Sequence, residues 1–177
     1  GANVVLKMLG EDGDASPFAG ACLCSPPIDL ISMSNHLENN WIGKFCDNIL
    51  VRGCNRLFDS EPMLKRLLGV SSTSSPSVQK PASMLELDGR VIAPMFGFSC
   101  ASEYYRSASS GPYLSRVRRP TLVVHCANDP IVAGHLIRGD DFVSGEASDF
   151  LVSVMTAEGG HSMDINEGLR LEPWFPK

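Results

Sequence analysis

The sequence predicts an α/β fold in which a mostly parallel sheet is flanked by helices. Two segments carry most of that prediction. RRPTLVVHCANDP, residues 118–130, has a proline lead-in, a β-branched run from Thr121 to Val124 and a sharp stop at Asn128, Asp129 and Pro130. DFLVSVMTAEGGH, residues 149–161, is a second apolar run, ended by two glycines. The third observation is that helical patterns separate the strand patterns, which is the alternation that builds parallel sheets.

Taken in order, residues 2–9 have the apolar spacing of a buried helix at Val4, Val5, Met8 and Leu9, with a stop expected near Gly10. EDGDASP then reads as a polar turn. AGACLCS, residues 19–25, is a short run of small and apolar residues closed by Pro26 and Pro27, which suits a buried strand. From Asp29 to Val70 the pattern is mainly helical, with apolar positions at Leu50, Leu57, Leu64, Leu67 and Leu68 and Pro62 at a helix start. This stretch, 29–70, is too long for a simple crossover. Residues 71–83, SSTSSPSVQKPAS, read as a low-complexity linker or loop. MLELDGRVIAPMFGF mixes apolar and turn residues, and ASEYYRSASS reads as a short helix with a frayed end. No internal repeat is present.

Composition narrows the function classes. The 177 residues are enough for one domain with a proper core, and the net charge of −5 with scattered basic residues argues against a nucleic-acid surface. The one basic cluster, Arg116, Arg118 and Arg119, is expected to be a solvated face. No apolar run approaches the roughly 20 residues needed to cross a bilayer, and no signal-peptide pattern opens the sequence. The cysteines, Cys22, Cys24, Cys46, Cys54, Cys100 and Cys126, lack metal-type spacing and lie mostly in apolar surroundings. They are expected to be free buried thiols in a reducing intracellular compartment, with no metal and no cofactor.

Asp129 and His161 follow directly on the two strongest strands. In open parallel sheets the loops at the carboxyl ends of the strands converge on one crevice, so an acid and a histidine there are placed to meet. Their chemistry would be that of the hydrolase triad: the carboxylate holds the imidazole Nδ1 proton, and the other ring nitrogen takes a proton from a nucleophile. An Asp before Pro is also a common turn former, and a His after Gly-Gly can be a solvated loop residue. The order acid then base is that of the last two members in α/β hydrolases, which puts the nucleophile upstream.

The stretches GANVVLKMLGE, ELDGRVIAPMFGF, EYYRSASS, RRPTLVVHCANDPIV and EGGH resemble segments of the α/β-hydrolase superfamily, specifically its AB hydrolase 4 branch, also called YheT-like or embryogenesis-associated. The resemblance runs through nearly the whole chain. It implies the C-terminal half of an α/β-hydrolase fold over residues 1–177, with 29–70 as a helical, cap-like insert. In that family the first segment follows a Gly-x-Ser-x-Gly nucleophile elbow, so Gly1 resembles the elbow's last glycine. The serine, the residue after it and the other oxyanion donor would then precede Gly1. Asp129 matches the acid of the family's D-D-P-type motif, with Asn128 in place of the first acidic residue, and His161 matches the base in G-G-H. After His161 the family tends to continue with small and aromatic residues, whereas SMDINEG is polar.

The implied activity is hydrolysis of carboxylic esters with lipid or medium-chain acyl groups. The alternatives are acyl transfer to an alcohol, a truncated binding or regulatory module, and a scaffold with a decayed site. The expected partner is a small acyl ester or lipid; any membrane anchor would lie ahead of Gly1. Lacking the serine, the 177-residue chain is expected to be inactive by this mechanism. Among other residues, His125 reads as a core histidine, and His36 and His135 as surface residues. Ser109 and Ser110 lie in a serine-rich helix end with no Gly-x-Ser-x-Gly around them. Tyr104, Tyr105, Phe96 and Phe98 read mainly as packing, and Trp41, Phe45 and Leu50 as candidate acyl-chain contacts.

Overall fold

A computed structural model describes residues 1–61, 80–137, 148–161, 164–167 and 170–173. The chain divides into two compact units, one formed by residues Gly1–His36 with Tyr105–Lys177 and the other by Leu37–Tyr104.

The first unit holds the sheet. Strands β1 (Ala21–Cys24), β2 (Thr121–Cys126) and β3 (Leu151–Thr156) are all parallel, in the order β1-β2-β3. Leu23 pairs with Val123, and Thr121 with Leu151, so side chains of the same face line up across the sheet. Helix α1 (Ala2–Asp12) covers that face. Leu6 and Leu9 pack with Leu23, Val123 and Leu151, and the 3₁₀ turn Gly111–Arg116 with the residue after it adds Leu114 and Val117 to the same cluster. Burying a side chain of this size is worth about 1.5–3 kcal/mol, so this cluster holds α1 against β1, β2 and β3. On the opposite face, Val152 is 58% and Val154 41% exposed.

The expected stop of α1 near Gly10 is corrected. The helix runs through Gly10 to Asp12 and ends at Gly13, whose φ is 52° and whose N–H donates to the Leu9 carbonyl. Gly10 is there for contact: a Cβ on it would lie 2.4 Å from the Tyr113 carbonyl oxygen. The basic cluster also departs from the solvated reading in part. Arg119 is half-buried and donates to the carbonyls of Asp14 and Ser16, tying the turn after α1 to the start of β2.

Two short antiparallel strands that the polar sequence SMDINEG did not suggest, β4 (Asp164–Glu167) and β5 (Arg170–Pro173), pair as a ribbon with Asp164 opposite Pro173.

The helical reading of 29–70 holds over its described part. Asp29 Oδ1 accepts from the amides of Ile31 and Ser32 and starts α2 (Leu30–Asn39). Asn40 is extended and accepts from the Ile42 amide, opening α3 (Trp41–Ser60). Pro62, Leu64, Leu67 and Leu68, and residues 71–79 of the expected loop, lie outside the described residues.

In the second unit the stretch 84–95, expected as a mixture of apolar and turn residues, is helical. It comprises α4 (Met84–Leu87), a π-helical turn (Asp88–Ile92) and α5 (Ala93–Met95). Its start is chemically explicit: Ser83 Oγ accepts from the Glu86 amide, and the Glu86 carboxylate accepts from the Ala82 amide. The Asp47 carboxylate accepts from the Met84 amide, and Asn55 donates to the Pro81 carbonyl, so α3 packs its Asp47 side on this segment. Phe96 stacks on Tyr104 with ring centroids 6.2 Å apart, an ordinary packing contact. Tyr104 belongs to α6 (Ala101–Ala108), the helix expected from ASEYYRSASS.

All six cysteines are free, as expected. Cys126 is buried, but Cys22 and Cys100 are exposed, against the expectation of buried thiols. Cys22 sits on the face of β1 opposite the α1-packed core.

Candidate active site

The site is built at the carboxyl ends of β2 and β3. The ladder continues one step past β2, with the Ala127 amide donating to the Thr156 carbonyl at 2.8 Å. The chain then turns, and the Asp129 amide donates to the Cys126 carbonyl at 3.2 Å. That turn brings Asp129 inward, where it is 3% exposed.

The two carboxylate oxygens have separate tasks. Oδ1 accepts from the amides of Ile131 at 2.8 Å and Val132 at 2.9 Å, which locks the side chain in an Asx-type turn. Oδ2 lies 2.9 Å from His161 Nδ1. Burial works to raise the carboxyl's pKa. The His161 bond and the two amide N–H groups outweigh burial and hold Asp129 below its ordinary value. An ionised carboxylate at Nδ1 fixes the imidazole tautomer: Nδ1 carries the proton and donates it, and Nε2 keeps its lone pair. The His161 side chain is 40% exposed, so the imidazole is partly open to solvent while its carboxylate partner is buried.

His161 reaches this position over Gly159 and Gly160, with φ of 146° and 63°. Both angles lie where a Cβ is strongly disfavoured, which explains the Gly-Gly before the histidine. The loop is held from β2 as well: Asn128 Oδ1 accepts from the Gly160 amide at 2.9 Å and from the Cys126 thiol at 2.8 Å. Asn128 is therefore a tether between the Asp129 loop and the His161 loop, a role that sequence reading missed. Any side-chain carbonyl or carboxylate oxygen at 128 supplies the same acceptor, which makes Asn in place of an acidic residue chemically conservative here.

The remaining polar candidates are not brought to this pair as reactive groups. His125 is fully buried in β2, and its burial pushes its pKa down to about 4 despite the nearby Asp129 carboxylate, so it is a neutral core histidine at pH 7. His36 and His135 meet each other edge to face with ring centroids 5.3 Å apart, and His36 is half-buried rather than on the surface. Ser109 Oγ donates to the Tyr105 carbonyl and accepts from the Leu30 amide, a structural use. A cavity of about 570 Å³ lies elsewhere in the same unit, with Ile28, Ile31, Arg106, Leu114 and Leu136 among the residues that line it. Among the described residues, no group of three or more His, Cys, Asp or Glu side chains could hold a metal ion.

Ser25, at the end of β1, was also missed. Its φ is 46°, its side chain is buried, and its hydroxyl finds no partner among the described residues. Only the Pro-Pro that follows hinted at unusual backbone there.

The chain is 28% identical over 163 residues to the embryogenesis-associated protein EMB8 of Picea glauca, a match covering 91% of this chain and 35% of that protein. It is 26% identical over 164 residues to the putative esterase YheT of Escherichia coli, covering 91% of this chain and 45% of the relative. The chain belongs to the AB hydrolase 4 branch of the α/β hydrolases. A third relative, the medium-chain fatty acid ethyl ester synthase/esterase 2 of Saccharomyces cerevisiae, is 30% identical over 154 residues, covering 75% of this chain and 33% of that protein. The chain thus spans between about a third and just under half the length of these relatives. No protein-family model and no solved structure matches it. The parallel three-stranded sheet flanked by helices is a partial α/β-hydrolase fold.

Proposed function

We propose that the intact protein hydrolyses carboxylic esters of lipids or medium-chain acyl groups through a Ser-Asp-His triad to which this chain contributes Asp129 and His161. The observation that supports this most is the contact between a buried, low-pKa carboxylate and His161 Nδ1 at 2.9 Å, at adjoining strand ends of a parallel sheet. Relatives named as an esterase and as a monoacylglycerol lipase favour the ester class. On this reading Asp129 orients His161 and stabilises the imidazolium, while Nε2 takes the serine proton as the acyl-enzyme forms and returns it to the leaving alcohol. On this reading the described residues 29–61 belong to a cap-like segment.

The test is fluorophosphonate labelling and acyl-ester turnover by the full-length parent. Labelling of wild type, with turnover abolished in His161→Ala, is the expected outcome; full activity in that variant would overturn the assignment. A second reading, transfer of the acyl group to an alcohol in place of water, is favoured by the yeast relative's name as a synthase as well as an esterase. Adding ethanol or a glyceride to the turnover assay separates the two by the product formed.

A further inference from the structure

Helix α3 has two unlike faces. Gly43, Asp47 and Val51 are buried, and Asp47 and Asn55 bond to the segment 81–84. The other side is bare: Trp41 is 79%, Phe45 65% and Ile49 55% exposed. At 100° per residue these three and the exposed Arg52 and Arg56 fall within an arc of about 80°. Ile42 and Lys44, both exposed, flank the arc on its two sides. The three cations make no ion pair among the described residues, whereas the helix's exposed acid, Asp59, is paired with Lys80. A net-acidic chain has thus gathered aromatic, aliphatic and uncompensated basic side chains onto one face of a helix about 30 Å long.

That combination matches an anionic, amphipathic surface. Trp and Phe rings seat at a headgroup boundary, and Lys and Arg stems lie along it with their charges on lipid phosphates or carboxylates. A second copy of the chain fits less well, because face-to-face packing would set Arg52 and Arg56 against their own counterparts. The helix carries too many charges to be a span, and among the described residues no helix is long and apolar enough to cross a membrane. We propose that α3 docks flat on an anionic phospholipid surface through Trp41, Phe45 and Ile49, with Lys44, Arg52 and Arg56 supplying the charge attraction. This does not depend on the Asp129–His161 pair and needs no turnover to be observed.

The experiment is co-sedimentation of the 177-residue chain with phosphatidylcholine vesicles with and without phosphatidylserine, alongside Trp fluorescence. Binding is expected to require phosphatidylserine, to weaken with added salt and to blue-shift an emission component that Trp41→Phe removes. Arg52→Gln with Arg56→Gln should weaken binding by about 30-fold, the combined effect of two cations near an anionic surface. Phe45→Ser with Ile49→Ser should weaken it at least tenfold, with helix content unchanged by circular dichroism because these side chains are exposed. No vesicle binding, equal binding to neutral vesicles, or indifference to both double variants would overturn the proposal. So would concentration-dependent self-association abolished by Phe45→Ser, which would assign the face to a second copy.

Discussion

Asp129 should behave as two separable interactions, and substitution can divide them. Asp129→Ala removes the acceptor for the Ile131 and Val132 amides along with the partner of His161. Hydrogen bonds to a charged group are worth about 1.5–3 kcal/mol each, and the newly exposed space lets water recover part of that for half-buried Ile131. A local loss of about 2–4 kcal/mol remains, which is a roughly 30- to 700-fold rise in opening. Amide hydrogen exchange at Ile131 and Val132 reads this directly, without requiring global two-state unfolding. Asp129→Asn keeps a side-chain carbonyl for those two amides, so their exchange should rise less than tenfold while the His161 tautomer changes. Because the folded carboxyl titrates below its ordinary value of 3.8, its contribution is present above that pH and is lost as pH falls through the folded value. The gap between wild type and Asp129→Ala should therefore close in strong acid. Equal exchange rates in the Ala and Asn variants would refute the division of labour between Oδ1 and Oδ2.

The other expectations are simpler. Ser25→Gly should raise the urea midpoint, stabilising the chain by about 1 kcal/mol, because it relieves a positive φ and removes a buried hydroxyl without a described partner; Ser25→Val should do the reverse. Gly10→Ala should destabilise by at least about 2 kcal/mol in the same assay despite alanine's better helix propensity, since the Cβ meets the Tyr113 backbone, which cannot swing aside. His125 favours its neutral form in the folded state, so the unfolded chain binds the extra proton and stability falls as pH drops from about 6.5 toward about 4. That loss is on the order of 3 kcal/mol and should be absent from a His125→Asn variant in urea titrations across this range; an identical pH profile would show that His125 does not control it.

The residues themselves determined the parts of this protein whose physics is local. β2 was legible because Thr121–Val124 are β-branched or apolar and Pro120 and Pro130 bracket the strand, and Asp129 and His161 stood out by their position after strands. Helix α3 was legible as helix, and its N-terminal cap lies in Asn40. The helical segment at 84–95 carried its signal too, in Ser83 and Glu86, but Gly89 and Pro94 obscured it. What needed the tertiary structure were relations across long separations. Gly10 looks like a helix stop until Tyr113 is found against it, 103 positions later. Asn128 looks like a turn residue until its oxygen is found on the Gly160 amide. The sequence placed Asp129 and His161, 32 positions apart, at strand ends where they could meet, but their contact rests on the tertiary structure: parallel pairing of β2 with β3 brings their loops together, and the Asx turn and the two glycines aim the side chains.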